Sequence, residues 1–337
     1  MTHAFSWTPF HAHLHQTLRQ QRLLERGQRI LIAVSGGQDS VCLAQLLRDL
    51  QSHWHWHLAI AHCNHGWRSD ADANADHVRA LAQHWQLPFY GRTATEAIPS
   101  EAQAREWRYA MLIDIAHQDG YPCIVTGHTG SDRAETLLYN LMRGSGTDGL
   151  QALTWRRSLG QDLTLVRPLL DFTRSDTAEV CEDHELTIWC DTTNDDLNFA
   201  RNRIRQEVMP YLQEHFNPQV ETHLSQTAEL LRADVTLLES LAERLHQRAS
   251  DPHATNRINR SPLRSAPLAL QRRVVRRFLK QQLPSSPQFD HIEKLVQLLD
   301  APNRSQSDPF PGGAIARVDG DWVSLQSPGS TDDAYKN

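Results

Sequence analysis

No stretch of this 337-residue sequence approaches the ~20 consecutive apolar residues that a membrane-spanning helix needs, although 39% of its residues are hydrophobic. Residues 1–7 lack a basic segment followed by an apolar core, so no secretory leader is expected. Cysteine is scarce. Cys42, Cys63, Cys123, Cys181 and Cys190 are scattered, odd in number and form no Cys-x-x-Cys pair. This argues against a disulfide framework or a cysteine-built zinc module, and for reduced thiols in a cytoplasmic protein. A basic excess is missing too. With a net charge of −6 the chain is no general polyanion binder, so any nucleic-acid contact must come from local patches. No internal repeat occurs. Two familiar phosphate loops are also absent, since there is neither a Gly-Lys-Ser/Thr nor a Gly-x-Gly-x-x-Gly run.

What is present is length enough for about two domains and a sizeable core. Histidine is abundant, at 19 residues. The runs His11-Ala12-His13-Leu14-His15 and His53-Trp54-His55-Trp56-His57 look like metal sites, but no carboxylate or cysteine pattern completes either in the sequence. They read as a composition bias on surface segments.

The most informative stretch is Ser35-Gly36-Gly37-Gln38-Asp39-Ser40. It follows Ile30-Leu31-Ile32-Ala33-Val34, a short β-branched run typical of a buried parallel strand. It precedes Cys42, Leu43, Leu46, Leu47 and Leu50, which recur at helical spacing. Strand, glycine turn and helix together aim backbone N–H groups and a helix dipole at one point, a geometry suited to phosphate. The glycines let backbone approach the ligand, and Ser35 and Ser40 offer hydroxyls. Asp39 cannot stabilise a phosphate by itself, which points to Mg²⁺ as intermediary. The loop resembles the SGGxDS loop of the N-type ATP pyrophosphatases, the PP-loop family. That resemblance implies ATP cleavage between the α- and β-phosphates and transfer of AMP to a substrate oxygen.

Further motifs follow in chain order. Leu58-Ala59-Ile60-Ala61 reads as a strand ending in His62-Cys63-Asn64-His65-Gly66-Trp67-Arg68-Ser69-Asp70. Ligands in open parallel sheets sit beyond strand carboxyl ends, which makes this polar cluster a site candidate. It is similar to the second motif of the tRNA(Ile)-lysidine synthetase family. Residues 72–86 and 101–116 read as helices. In the second, Arg105 and Arg108 share a face and match that family's A-R-x-x-R-Y arrangement, although pairing with Glu101 and Glu106 would equally explain them. After the strand Cys123-Ile124-Val125-Thr126 comes Gly127-His128-Thr129-Gly130-Ser131-Asp132-Arg133-Ala134-Glu135-Thr136. Asp132 and Glu135 read either as an Asp-x-x-Glu capping box that satisfies its own backbone donors or as a pair of carboxylates holding an ammonium group or Mg²⁺. The stretch resembles the family's GHxxDDxxET motif. It departs at Ser131, where the first Asp usually sits, and at Arg133, where Gln is common. The resemblance assigns lysine recognition to Asp132 and Glu135. Arg143 to Leu150 matches the RGxGxxGL segment and implies contact with RNA or the activated base. Arg201-Asn202-Arg203-Ile204-Arg205 resembles the R-N-x-I-R signature, and its arginines suit phosphate.

Towards the C-terminus, Leu224 to Leu245 keep a three-to-four spacing, which predicts a helix of roughly 30 residues. Residues 251–262 read as a loop. A helix over 268–283 carries Arg272, Arg273, Arg276, Arg277 and Lys280, either a tRNA-backbone surface or a solvated face. A further helix is expected over 289–299, and a terminal hairpin turns at Asp319-Gly320.

The predicted fold is therefore α/β: an open, mostly parallel sheet with helices on both faces over residues 1–215. A linker helix over 216–250, a small mainly helical tRNA-binding domain over 251–328 and a loose tail over 329–337 complete it. The resemblance implies a ligase with ATP and Mg²⁺ as cofactors, and with free L-lysine and tRNA(Ile) bearing a CAU anticodon as partners. It implies no membrane and leaves a homodimer open. Asp39, His128, Asp132 and Glu135 would be catalytic, with Asp39 also on the metal. Ser35 to Ser40, His62, Asn64 and His65 would hold ATP. Arg105, Arg108, Asp132, Glu135, Arg143, Arg201 and Arg205 would hold substrate. Two rivals stand beside this reading: another PP-loop tRNA-modifying enzyme of the thiolase type, which would favour paired cysteines, and an inactive tRNA-binding protein.

Overall fold

The computed structural model describes residues 7–67, 70–160, 162–189 and 196–326. Arg68 and Ser69 of the second motif, residues 190–195 and the tail lie outside the described residues. The chain divides into two compact units, at Arg232 and Ala233.

The first unit is built on strands β1 (Arg29–Ala33), β2 (His57–Asn64), β3 (Phe89–Thr93), β4 (Cys123–Thr126), β5 (Arg156–Ser158) and β6 (Thr164–Val166). They form one sheet in the order β3-β2-β1-β4-β6-β5. Every pairing is parallel except that of β5 with β6. That antiparallel edge strand is absent from the sequence reading; its residues, Arg-Arg-Ser, are exposed and carry no apolar alternation.

Successive side chains point to opposite faces, and both faces are covered. Ile30, Ile32, Leu58, Ile60, Val125 and Val166 pack with helices α1 (Pro9–Gln20), α2 (Gln38–Trp54), α3 (Ala71–His84) and α7 (Arg174–Asp183). Leu31, Ala59, Ala61, Ile124 and Leu165 pack with α4 (Glu101–Asp119). Strand order reverses direction between β1 and β4, and ligands of such sheets bind outside the strand ends at that point. α5 (Gly130–Met142) starts beyond β4, followed by the short α6 (Thr147–Leu150). Beyond α7, α8 (Ala200–Arg203) runs into a π-helical turn, Ile204–Val208, and then α9 (Met209–His215).

α1 ends at Gln20. Gly27 lies at φ 74°, where its N–H donates to the Trp54 carbonyl just before β1. His11 is fully buried, so the first histidine run is not confined to the surface.

α10 (Val220–Ala249) is the long helix expected from the leucine spacing. In the second unit, β7 (Arg257–Asn259), β9 (Trp322–Gln326) and β8 (Ile315–Asp319) make an antiparallel sheet in that order. The hairpin at Gly320 is as expected. β7 and α11 (Ser261–Arg264) replace the expected loop over 251–262, because Ile258 and Leu263 are buried in this unit's core. α12 (Leu268–Gln282) and α13 (Phe289–Leu299) complete it. Much of the positive charge on α12 is spent internally. Arg273, Arg276 and Arg277 pair with Glu239, and Arg272 pairs with Glu293, while Lys280 is exposed. Among the described residues no helix is long and apolar enough to cross a membrane.

Candidate active site

The loop after β1 is held open by its own polar groups. Ser40 Oγ accepts from the Ser35 N–H at 3.1 Å and donates to the Gly37 carbonyl at 2.8 Å. Gly36 sits at φ 92°, and a Cβ there would collide with Asn74, whose amide donates to the Ser35 carbonyl at 2.9 Å. Gly127, after β4, touches the same loop: a Cβ would lie 2.6 Å from the Asp39 carbonyl oxygen. Only glycine allows these two strand ends to meet.

The loop opens on a cleft of about 560 Å³. Ser35, Gly37, Gln38, Asp39, Ser40, His62, Asn64 and His65 line one part of it. Arg105, Arg108, His128, Asp132, Arg201 and Arg205 line the rest. Three sequence-predicted residues do not line it. Gly36 lies in the loop itself, Glu135 lies beneath the surface at 3% exposure, and Arg143 caps the far end of α5 against Tyr139.

Asp39 lies in the first turn of α2, and its Oδ1 accepts from Thr177 Oγ1 at 2.6 Å. Arg174 Nη2 lies 3.3 Å from Asp39 and 3.5 Å from Asp132, and so bridges the two acids. Burial pushes the Asp39 carboxyl above its ordinary range; Arg174 draws it down, and the Asp132 charge pushes it up again. Asp132 serves two ends at once. Its Oδ2 accepts the Thr129 N–H at 2.9 Å, completing a capping box. Its Oδ1 takes Arg201 Nη2 at 3.0 Å. Burial opposes its charge, but Arg201 and Arg174, with the Thr129 N–H, outweigh burial and hold the carboxyl below the usual range. Glu135 accepts Arg201 Nε at 3.1 Å and Arg205 Nε at 2.7 Å. The capping box is therefore Thr129 with Asp132, three residues earlier than an Asp132–Glu135 box; Glu135 caps nothing and is held by arginines instead.

His128 is half-buried at the cleft wall, with Nδ1 2.9 Å from Thr126 Oγ1, and burial pulls its pKa well down, so the ring is neutral at pH 7. His62 Nδ1–H donates to the Val34 carbonyl at 2.8 Å. Asn64 is spent locally, donating to Asp72 and accepting from the Gly66 N–H. Arg105 and Arg108 make no ion pair with Glu101 or Glu106 among the described residues, and both reach the cleft.

A PP-loop domain model matches residues 8–212, and a TilS substrate binding domain model matches 259–321. A tRNA(Ile)-lysidine synthase from Nostoc sp. is 57% identical over 95% of this chain and 98% of its own length. This chain belongs to the tRNA(Ile)-lysidine synthase family. A chloroplastic tRNA(Ile)-lysidine synthase from Zygnema circumcarinatum is 35% identical, over 84% of this chain and 77% of its own. Among solved structures, the U34-tRNA thiolase NcsA from Methanococcus maripaludis superposes with a TM-score of 0.56 at 14% identity. That match covers 66% of this chain and 77% of the thiolase, a likeness of fold alone.

For this lysidine synthase family member, sequence reasoning missed Arg174 and Thr177, which hold Asp39 from α7. A signal was available. Thr173-Arg174-Ser175-Asp176 is a capping box just past a strand end, where side chains of a first helical turn face the ligand crevice. Asn74 and Trp189 were missed as well; both line the cleft, and the Trp189 N–H donates to the Gly36 carbonyl.

Proposed function

We propose that the enzyme ligates lysine to C2 of the wobble cytidine of CAU-anticodon tRNA(Ile), forming lysidine and changing the codon read from AUG to AUA. The cytidine O2 attacks the α-phosphorus of ATP and pyrophosphate leaves. The lysine amine then attacks C2 of the adenylated base, the C2–O bond breaks and AMP departs with the oxygen.

The cleft's residues support this division of labour. The N–H groups and hydroxyls of Ser35 to Ser40 cradle the phosphates, with donors aimed where charge builds. Asp39 supplies a hard oxygen donor of the kind Mg²⁺ prefers, and a cation there relieves the cost of keeping it ionised. Bound there, Mg²⁺ would offset charge on the phosphates as they separate. Arg105 and Arg108 meet the tRNA backbone or the phosphates. Arg201 and Arg205 present guanidinium groups to a carboxylate or phosphate, while Asp132 faces an ammonium group. Glu135 acts from beneath, holding both arginines. The attacking amine must be neutral; neutral His128, beside Asp132, can accept a hydrogen bond from it, while burial leaves the ring a weak base.

The observation that carries the reading is the convergence of the β1 loop, the β2 end and the arginine-bound Asp132 of α5 on one cleft. ATP–pyrophosphate exchange tests the loop: Asp39→Ala should abolish it, and exchange at the wild-type rate would overturn the assignment. Lysine-dependent AMP release on the cognate tRNA, with elongator methionine tRNA as control, tests the rest. Turnover without lysine would favour the thiolase-type alternative, and no ATP turnover the inactive binding protein.

A further inference from the structure

One cluster of ligating side chains stands apart from the cleft. His11 on α1, Asp49 on α2 and His184 at the C-terminal end of α7 each offer an atom within 4.8 Å of the others. His11 Nε2 lies 3.2 Å from Asp49 Oδ2. That spacing is about the edge of a tetrahedron with ~2.0 Å bonds, the geometry of zinc with nitrogen and oxygen ligands. The His184 ring meets that of His11 edge-on, with centroids 5.9 Å apart.

The surrounding groups hold these ligands in place. His11 Nδ1 accepts from the Thr8 N–H at 3.2 Å and lies 2.8 Å from Thr8 Oγ1; a metal on Nε2 moves the ring proton to Nδ1, where the Thr8 hydroxyl accepts it in place of the N–H contact. Asp49 Oδ2 accepts from Gln45 Nε2 at 2.8 Å, which fixes the carboxylate. The His11 ring is fully buried, while Asp49 and His184 are partly exposed and give the ion a way in.

We propose that His11, Asp49 and His184 form a structural site for a zinc-class divalent ion, with water as the fourth ligand. The three ligands come from three helices of the same face of the sheet. Two of these begin at the catalytic cleft: α2 carries Asp39, and α7 carries Arg174 and Thr177, which hold it. Asp49 lies ten residues along α2 from Asp39, about 15 Å at 1.5 Å per residue, so the ion takes no part in the chemistry. It clamps the far ends of the helices whose near ends shape the site.

The test is titration of the chelator-treated full-length enzyme with Zn²⁺ by calorimetry in excess Mg²⁺, with Co²⁺ as a spectroscopic probe. The expected result is one ion per chain, a visible Co²⁺ band of four-coordinate character and a rise in melting temperature with zinc. His184→Ala and Asp49→Asn should each weaken binding at least about 100-fold and remove the band. His53→Ala, in the other histidine run, should leave both intact. Urea unfolding of the metal-free variants shows whether they fold; His184 is surface-accessible, and its alanine variant should unfold near the wild-type midpoint. No saturable binding in wild type overturns the proposal. So does binding that survives both ligand variants, or binding lost equally in His53→Ala.

Discussion

The guanidinium of Arg205 grips both carboxylate oxygens of Glu135, with Nε 2.7 Å from Oε1 and Nη2 2.9 Å from Oε2. The pair is largely shielded from water; Arg201 also reaches Glu135 and Asp132 also reaches Arg205, but removing either charge takes away the two-pronged partner of the other. Glu135→Gln should therefore lower the stability of the catalytic unit by about 3 kcal/mol, the scale for breaking a buried ion pair. Arg205→Lys keeps the charge but loses the two-pronged fit, and should weaken lysine ligation more than stability. Urea unfolding and lysine-dependent AMP release separate the two effects. A Glu135→Gln protein as stable as wild type would show that the fork is dispensable.

Asp39 is held at a cost in stability. Its folded pKa lies above that of the unfolded chain, so the folded state keeps a proton that the unfolded state has released. Stability is then highest below the unfolded carboxyl range and falls as pH rises through the folded pKa. Asp39→Asn removes that loss. At pH 8 the metal-free variant should unfold at a urea concentration equal to or above that of wild type, while pyrophosphate exchange drops at least about 100-fold. A variant that is less stable and still exchanges would contradict both halves.

His128 carries the opposite dependence. Burial lowers its folded pKa, so below about pH 6.5, the ordinary histidine value, the unfolded chain binds a proton that the folded ring does not. Stability is lost as pH falls through that point, at up to about 1.4 kcal/mol per pH unit for one proton. His128→Gln should flatten the stability curve between pH 6.5 and 4.5 and slow the lysine step more than adenylation. Denaturant midpoints across that range decide it; parallel curves for the two proteins would mean the ring already carries a proton.

Where local pattern and tertiary role coincide, the sequence is easily read. The β1 loop, its strand and its helix need only periodicity and two glycines, and residues 30–50 sit as read. Asp132 is harder, because capping box and charge site share one residue; the choice between them needs the arginines that arrive some 70 positions later. Arg174 is invisible to periodicity, since only the sheet order brings the start of α7 to Asp39. His11 is misread for the same reason: a histidine on a helix looks like surface until Asp49 and His184 are packed against it. β5 carries no alternation at all, and exists because β6 leaves an edge to pair.

Ser131 and Arg133, the two positions that depart from the family motif, both turn to α10. Ser131 donates to Glu221, and Arg133 Nη1 reaches Glu229 at 3.2 Å while its Nε holds the Leu153 carbonyl at 3.0 Å. Trp155 stacks on the Arg133 guanidinium, and its N–H donates to the same Glu229 at 3.0 Å. Burial pulls the guanidinium down to about 10, still charged at neutral pH. Arg133→Met should cost about 2 kcal/mol by leaving buried acceptors unmet. Because Glu229 is partly solvated, a double-mutant cycle with Glu229→Gln should return a coupling of only about 1 kcal/mol. Additive single effects would mean that the two residues act separately.

Glu239 holds three arginines of α12, with Arg273 at 2.5 Å, Arg276 at 3.1 Å and Arg277 at 2.7 Å. Burial opposes its charge, but Arg277 and Arg273 outweigh burial and keep the carboxyl below its ordinary range. The acid thereby neutralises cations that would otherwise attract any phosphate backbone. Glu239→Gln unmasks them. Binding of a non-cognate RNA should tighten at low salt, and the slope of log K against log salt should steepen by about 1 for each phosphate newly engaged. Discrimination between cognate and elongator methionine tRNA should narrow, because the added attraction reads no sequence. Filter binding from 50 to 200 mM salt measures both; a slope equal to that of wild type would mean that α12 presents its arginines to no nucleic acid.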